Sequence, residues 1–152
     1  MAFGLDVSLT ERLQDWADGK ATLKEVRGYS DEELFSIART GYFFYYQGKI
    51  AQARTVFQGL YAINPLEPYF AKALGVVEMA SGNVQGALAA YDVAIKISPE
   101  DSMAYVGRAE VKLSEGQRAG AVDDLRRAAQ FVGEDAPLKT KIIAMLENVS
   151  KK

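Results

Sequence analysis

The chain has 152 residues, 49% of them apolar and 25% charged, with a formal net charge of −2, a balance that suits one globular domain able to bury a core without staples. It has no cysteine and no histidine, which excludes disulfides, zinc sites built from those residues and histidine acid–base chemistry. Mild acidity speaks against nucleic acid as a partner, and the absence of a run of about 18 apolar residues speaks against membrane insertion.

From the N-terminus, MAFGLDVSLTERLQDW lacks the basic and apolar regions of a signal peptide, so the cytoplasm is the expected compartment. Ser8 and Glu11 have the spacing of a helix-opening capping box. Leu9, Leu13 and Trp16 fall on one helical side, which predicts a short amphipathic helix over 8–18. That stripe either packs within the chain or joins two copies. Residues 20–27 are expected to add a turn or two before Gly28. Ser30 and Glu33 repeat the capping signal. Helical periodicity then predicts three pairs, 34–47 with 50–63, 68–80 with 84–97 and 102–115 with 118–131. The stripe Leu138, Ile142, Met145, Leu146 and Val149 predicts a last helix over 138–149, covering the open side of the third pair. Residues 150–152 are expected to fray.

The pairs repeat with a period of 34 residues, seen in Gly41, Gly75 and Ala109, in Gly48, Gly82 and Gly116, and in Ala53, Ala87 and Ala121. Phe57, Tyr91 and Leu125 keep the same step, as do Leu60, Ala94 and Ala128, and Pro65, Pro99 and Gly133. The turn glycines are expected in the left-handed region. Gly41 and Gly75 sit mid-helix, where glycine costs about 1 kcal/mol relative to alanine. Close approach of the paired helix near Ala53, Ala87 and Ala121 is the expected return. The pattern resembles the tetratricopeptide repeat over 34–133, which implies an all-α helical solenoid. Residues 1–30 would be an N-terminal helical extension and possible dimerisation region. Residues 31–133 would be three repeats, and 134–152 a capping helix and tail.

The segment GYFFYYQGK, residues 41–49, holds five aromatic residues in a row. Leu34, Ile37, Gly41, Phe44 and Gly48 are expected to meet the partner helix. Phe35, Tyr42, Tyr45 and Tyr46 share a different side, and in a curved stack the first helix of each pair lines the concave wall. The corresponding positions are Tyr69, Lys72, Val76 and Met79 in the second repeat and Met103, Val106, Glu110 and Leu113 in the third. Such a wall suits an extended peptide with spaced apolar anchors, with Lys72 and Glu110 free to meet its charges or carbonyls. The same tyrosines could instead fill space beneath the termini. Phe43 shares a side with Ser36 and Gln47 and is expected under residues 20–29. Arg108, Lys112, Arg126 and Arg127, interrupted by Asp123 and Asp124, are expected to form solvated helix surface. No group of acidic, basic or hydroxyl side chains has catalytic spacing, so neither an enzyme nor a cofactor is expected.

The run EVRGYSDEELFSIA, residues 25–38, leads into Gly41, Tyr45, Gly48, Ala53 and Phe57, then Leu60, Pro65, Gly75, Ala87 and Tyr91. Together with the architecture, it resembles the class II chaperones of bacterial type III secretion over about residues 20–149. The resemblance implies a small, acidic, cytoplasmic protein without catalysis. Its partner would be a secreted translocator, held through an extended N-terminal segment with proline and apolar anchors and kept soluble before export. It implies a homodimer formed through the N-terminal helices. The groove positions it implies here are Phe35, Tyr42, Tyr45, Tyr46, Tyr69, Val76 and Met79. The alternative is a repeat adaptor or scaffold for another bacterial assembly. An adaptor that clamps a carboxylate would need several cations or asparagines on the concave wall, where only Lys72 is found.

Overall fold

The computed structural model describes residues 7–151, with side chains from residue 10 onward. Among the described residues there are nine α-helices and no strand. They are α1 (Val7–Ala17), α2 (Leu23–Arg27), α3 (Asp31–Tyr46), α4 (Ile50–Ile63), α5 (Pro68–Ala80), α6 (Val84–Ile97), α7 (Ser102–Ser114), α8 (Arg118–Phe131) and α9 (Ala136–Ser150). This is the all-α tetratricopeptide-repeat arrangement, and four of the predicted spans, 50–63, 68–80, 84–97 and 118–131, coincide with α4, α5, α6 and α8.

The helix starts follow from capping. Ser30 accepts the Glu33 amide while the Glu33 carboxylate accepts the Ser30 amide at 3.0 Å, so α3 opens at Asp31, three residues before the predicted start. Thr22 and Glu25 form the same reciprocal pair and start α2. The expected box at Ser8 is not a start, because α1 already includes that residue. Glycine ends the first helix of each repeat. Gly48, Gly82 and Gly116 stand at φ of 75°, 78° and 73°, a region that costs a Cβ-bearing residue about 1 kcal/mol or more.

The chain forms two compact units, residues 1–66 and 67–152. In the first, α3 packs on α4, and α2 packs on both α1 and α4. The seam of α3 is Leu34, Ala38 and Gly41, all buried, and Tyr45 continues this spacing half-buried. This corrects the expected seam. Ile37 lies off it and is exposed, and Phe44 is half-buried. A Cβ on Gly41 would stand 2.9 Å from the Phe57 ring. The close approach that requires glycine is therefore to Phe57, one turn beyond Ala53.

In the second unit, α5 pairs with α6 and α7 with α8. α7 also meets α5 and α6, and α9 lies on α8. The Tyr91 ring of α6 is buried between two glycines, and an added Cβ would lie 2.8 Å from it at Gly75 and 2.3 Å at Gly107. In the third repeat Ala109 and Leu125 replace the glycine–aromatic pair, and both are buried in one cluster with Ala121. A smaller partner makes room for the methyl group. α9 closes this end as expected. Ile142 is buried, and Leu138, Met145 and Leu146 pack against Tyr105, Val106, Ala128 and Val132.

The basic residues of α7 are not solvated surface. Arg108 donates from Nε and Nη2 to the two carboxylate oxygens of Asp124 at 2.9 and 2.6 Å, and from Nη1 to Asp92 at 2.9 Å. Lys112 adds a contact to Asp124 at 2.9 Å. Asp124 is buried, whereas Asp123, Arg126 and Arg127 remain exposed as expected. Burial pushes the Asp124 carboxyl up, but hydrogen bonds from Arg108 and Lys112 outweigh it and hold the group below its ordinary value. The bond to Asp124 likewise holds Arg108 charged, above its ordinary range.

Candidate functional site

In the first unit, the aromatic rings of α3 form a ladder from core to solvent. Tyr42 meets the buried Phe57 edge-on, with ring centroids 5.0 Å apart, and stacks on Tyr46 at 6.3 Å. Tyr45 contacts Tyr46 edge-on at 5.4 Å. Exposure rises along the ladder. Tyr42 and Tyr45 are half-buried, whereas Tyr46 is 80% exposed. Phe35, two turns before Tyr42 on the same side, is also exposed. Four of the predicted site residues are thus brought to one stretch of α3, with Tyr45 at its inner edge.

Phe43 also departs from its expected place. It is 60% exposed instead of covered by residues 20–29, because α2 spends its contacts on α1 and α4. Phe43 precedes Tyr46 by three positions and so borders the exposed tyrosine. Its ring is 6.4 Å from that of Phe44.

In the second unit the predicted positions divide into two groups. Tyr69, Lys72, Val76 and Met79 along α5 are all half-buried. Tyr69 meets Phe70 edge-on at 5.9 Å, and Met79 leans on the cluster of Ala87, Tyr91 and Val111. Met103, at the start of α7, is 58% exposed. Further along α7, α9 changes the picture. Val106 is 3% exposed and belongs to the core with Ile142, so it is not a wall residue. Leu113 packs beside Ala109, Ala121 and Leu125, with Met145, Leu146 and Val149. Glu110 is exposed but pairs with Lys141 of α9 at 2.6 Å. Lys72 pairs with Asp101 at 2.8 Å. Both charges have a counter-ion within the chain, and no local spacing in the sequence could have shown Asp101 or Lys141 in that role.

At the N-terminus Trp16 is 49% exposed and Leu13 half-buried, while the side chain of Leu9 lies outside the described residues. Among the described residues no group of acidic side chains could hold a metal ion, and no helix is long and apolar enough to cross a membrane. What the two faces offer chemically is aromatic and apolar contact area with phenol hydroxyls, suited to binding.

Comparison with known proteins agrees with this geometry. The tetratricopeptide repeat family model matches residues 39–102. Human tetratricopeptide repeat protein 36 is 37% identical over 59 residues, 39% of this chain but 31% of its own length. The low calcium response locus protein H of Yersinia pestis is 27% identical over 135 residues, covering 87% of this chain and 79% of that protein. Among solved structures, the Yersinia enterocolitica type III secretion translocator chaperone SycD superposes with a TM-score of 0.80 at 24% identity, over 84% of this chain and 98% of that one. SycD bound to a peptide of the translocator YopD matches at 0.73 and 24%, over 80% and 95%. A type III secretion complex from Aeromonas hydrophila matches at 0.80 and 25%, over 96% and 97%. The chain thus has the tetratricopeptide-repeat fold in the form found in translocator chaperones of type III secretion.

Proposed function

We propose that this protein is a cytoplasmic secretion chaperone. It binds an extended, apolar-anchored N-terminal segment of a translocator-type protein and keeps that protein soluble before export. The observation that carries the reading is the ladder Phe57–Tyr42–Tyr46, which anchors an exposed aromatic surface on a buried ring. Large apolar surface left in water is a liability unless a partner covers it. Tyrosine supplies rigid contact area with little entropy to lose. Each unit presents its own first-helix face, with Phe35, Tyr42, Tyr45 and Tyr46 in one and Tyr69, Lys72, Val76, Met79 and Met103 in the other. Capture of a YopD peptide by SycD, a protein of the same fold, supports the choice of ligand. In this reading residues 1–30 carry a homodimer contact through Leu9, Leu13 and Trp16. Residues 31–133 form three repeats, and 134–152 form a cap.

Masking such a segment needs no chemistry. Translocators carry apolar stretches that associate when free, and docking an extended chain costs ordering entropy, which keeps the complex reversible. Co-purification from the source organism, with the bound protein identified by mass spectrometry, tests the reading. An exported, membrane-active partner lost on Tyr46→Glu is expected. A pilus or signalling component in its place would make the protein a scaffold instead.

A further inference from the structure

The helices α5 and α7 bear five charged side chains, and each has a partner inside the chain. Lys72 pairs with Asp101 at 2.8 Å, and Glu78 accepts a hydrogen bond from Asn83 at 2.5 Å. Arg108 and Lys112 share Asp124, with Asp92 as a second anion on Arg108. Glu110 holds Lys141 at 2.6 Å. The pairs are unequal. Glu110 and Lys141 are about half exposed, so water and salt weaken their attraction. The Lys72 and Asp101 side chains retain only 23% and 13% exposure and are screened much less.

Asp101 is placed by a second constraint. It is the N-cap of α7, and its Oδ1 accepts the Ala104 amide at 3.2 Å. The helix start therefore fixes the carboxylate and turns its other oxygen, Oδ2, to the Lys72 ammonium. A lysine on this face would otherwise attract an acidic segment.

We infer that Asp101 is a specificity-determining residue, a built-in counter-ion that neutralises Lys72 and restricts the α5–α7 face to segments uncharged over the stretch they lay against it. The inference rests on the peptide-binding reading above and adds the charge character of the segment. A charged residue arriving there would lose its hydration and find the opposite charges of α5 and α7 already paired.

Fluorescence anisotropy with two short blocked synthetic peptides tests this, one built from leucine, proline and glycine and the other with two of its leucines replaced by aspartate. The protein is expected to bind the neutral peptide with an affinity flat from low to high salt, and the acidic one at least about fivefold more weakly. Asp101→Asn keeps an oxygen for the Ala104 amide while freeing the Lys72 charge. This variant should bind the acidic peptide about fivefold more tightly than the parent does, with the gain lost in high salt. Adding Lys72→Met to Asp101→Asn removes the freed charge and should abolish that gain. An acidic peptide bound as tightly as the neutral one by the parent protein, no gain in Asp101→Asn, or a gain that survives the added Lys72→Met would overturn the assignment of Asp101 and leave the chaperone reading intact. Failure of both peptides to bind the parent protein would overturn both.

Discussion

Tyr42 meets Phe57 edge-on, with ring centroids 5.0 Å apart, so the exposed aromatic face is built directly on the core of the first unit. Tyr42 and Tyr46 therefore do different jobs, although they are one helical turn apart. Tyr42→Ala removes an aromatic pair worth about 1 kcal/mol beyond its buried area and is expected to cost about 2 kcal/mol in all. Tyr46, 80% exposed, should tolerate glutamate within about 0.5 kcal/mol. Urea unfolding followed by circular dichroism measures both. Partner capture should fail in Tyr46→Glu while its unfolding midpoint stays near that of the parent. Capture unchanged in Tyr46→Glu would rule out the aromatic face as the binding surface.

Tyr91 and the glycines beside it make a lock that can be re-cut. Alanine in a helix interior ordinarily gains about 1 kcal/mol over glycine. At Gly107 the new Cβ would lie 2.3 Å from the buried Tyr91 ring, and overpacking costs about 1–3 kcal/mol or more. Gly107→Ala and Gly75→Ala are each expected to lower the melting temperature. Placing Tyr91→Leu beneath Gly75→Ala imitates Ala109 over Leu125 in the third repeat. In that background the Gly75→Ala penalty should vanish. A penalty of the same size with and without Tyr91 would show that the ring is not what excludes the methyl group.

Asp124 ties the second unit to pH. Its folded value lies below the ordinary carboxylate value of 3.8, because the Arg108 and Lys112 hydrogen bonds outweigh its burial. The sign follows from linkage. The stabilisation is fully present above about 3.8 and is lost as pH falls through the lower folded value. Asp124→Asn leaves two cations on α7 without their shared anion and should cost about 3 kcal/mol at neutral pH. Its stability should also vary less with acid than the parent's over that range. Parallel acid profiles for the two proteins would show that Asp124 carries no such linkage.

What could be read in advance follows the reach of each interaction. Helix spans rest on periodicity and caps, which are local, and the columns from Gly41 to Ala109 align three copies of one motif. The side shared by Tyr42, Tyr45 and Tyr46 is legible from their three- and four-residue spacing, although only Tyr46 proves exposed. Five consecutive rings, however, offer competing seams. The actual one runs Leu34, Ala38, Gly41 and Tyr45, which leaves Ile37 and Phe43 in solvent. Val106 reads as wall from helical spacing alone, but it packs in one buried cluster with Ile142 of α9. The pairs Arg108–Asp124, Lys72–Asp101 and Glu110–Lys141 join residues on different elements. The offset from Arg108 to Asp124 equals that from Gly41 to Phe57 and from Gly75 to Tyr91. That inter-helix offset is the signal in the sequence that could have exposed the buried ion pair.

The N-terminal helix supplies its own reporter. Trp16 is the single tryptophan of the chain and is 49% exposed, on the same helical side as Leu13. If two copies join through this side, the indole leaves water as the dimer forms. Its emission should then shift to the blue with rising protein concentration, in step with the mass seen by sedimentation. Trp16→Glu should hold the protein at the mass of one chain while helical content persists, because α1 is one helix at the edge of its unit, packed on α2. The loss in association should exceed about 2 kcal/mol if the indole is a central anchor. Deleting residues 1–20 should give the same mass. A mass of two chains that survives both changes would move the dimer contact elsewhere, and a mass of one chain in the parent would remove it. Emission that stays fixed while the mass doubles would place the contact on a surface away from α1.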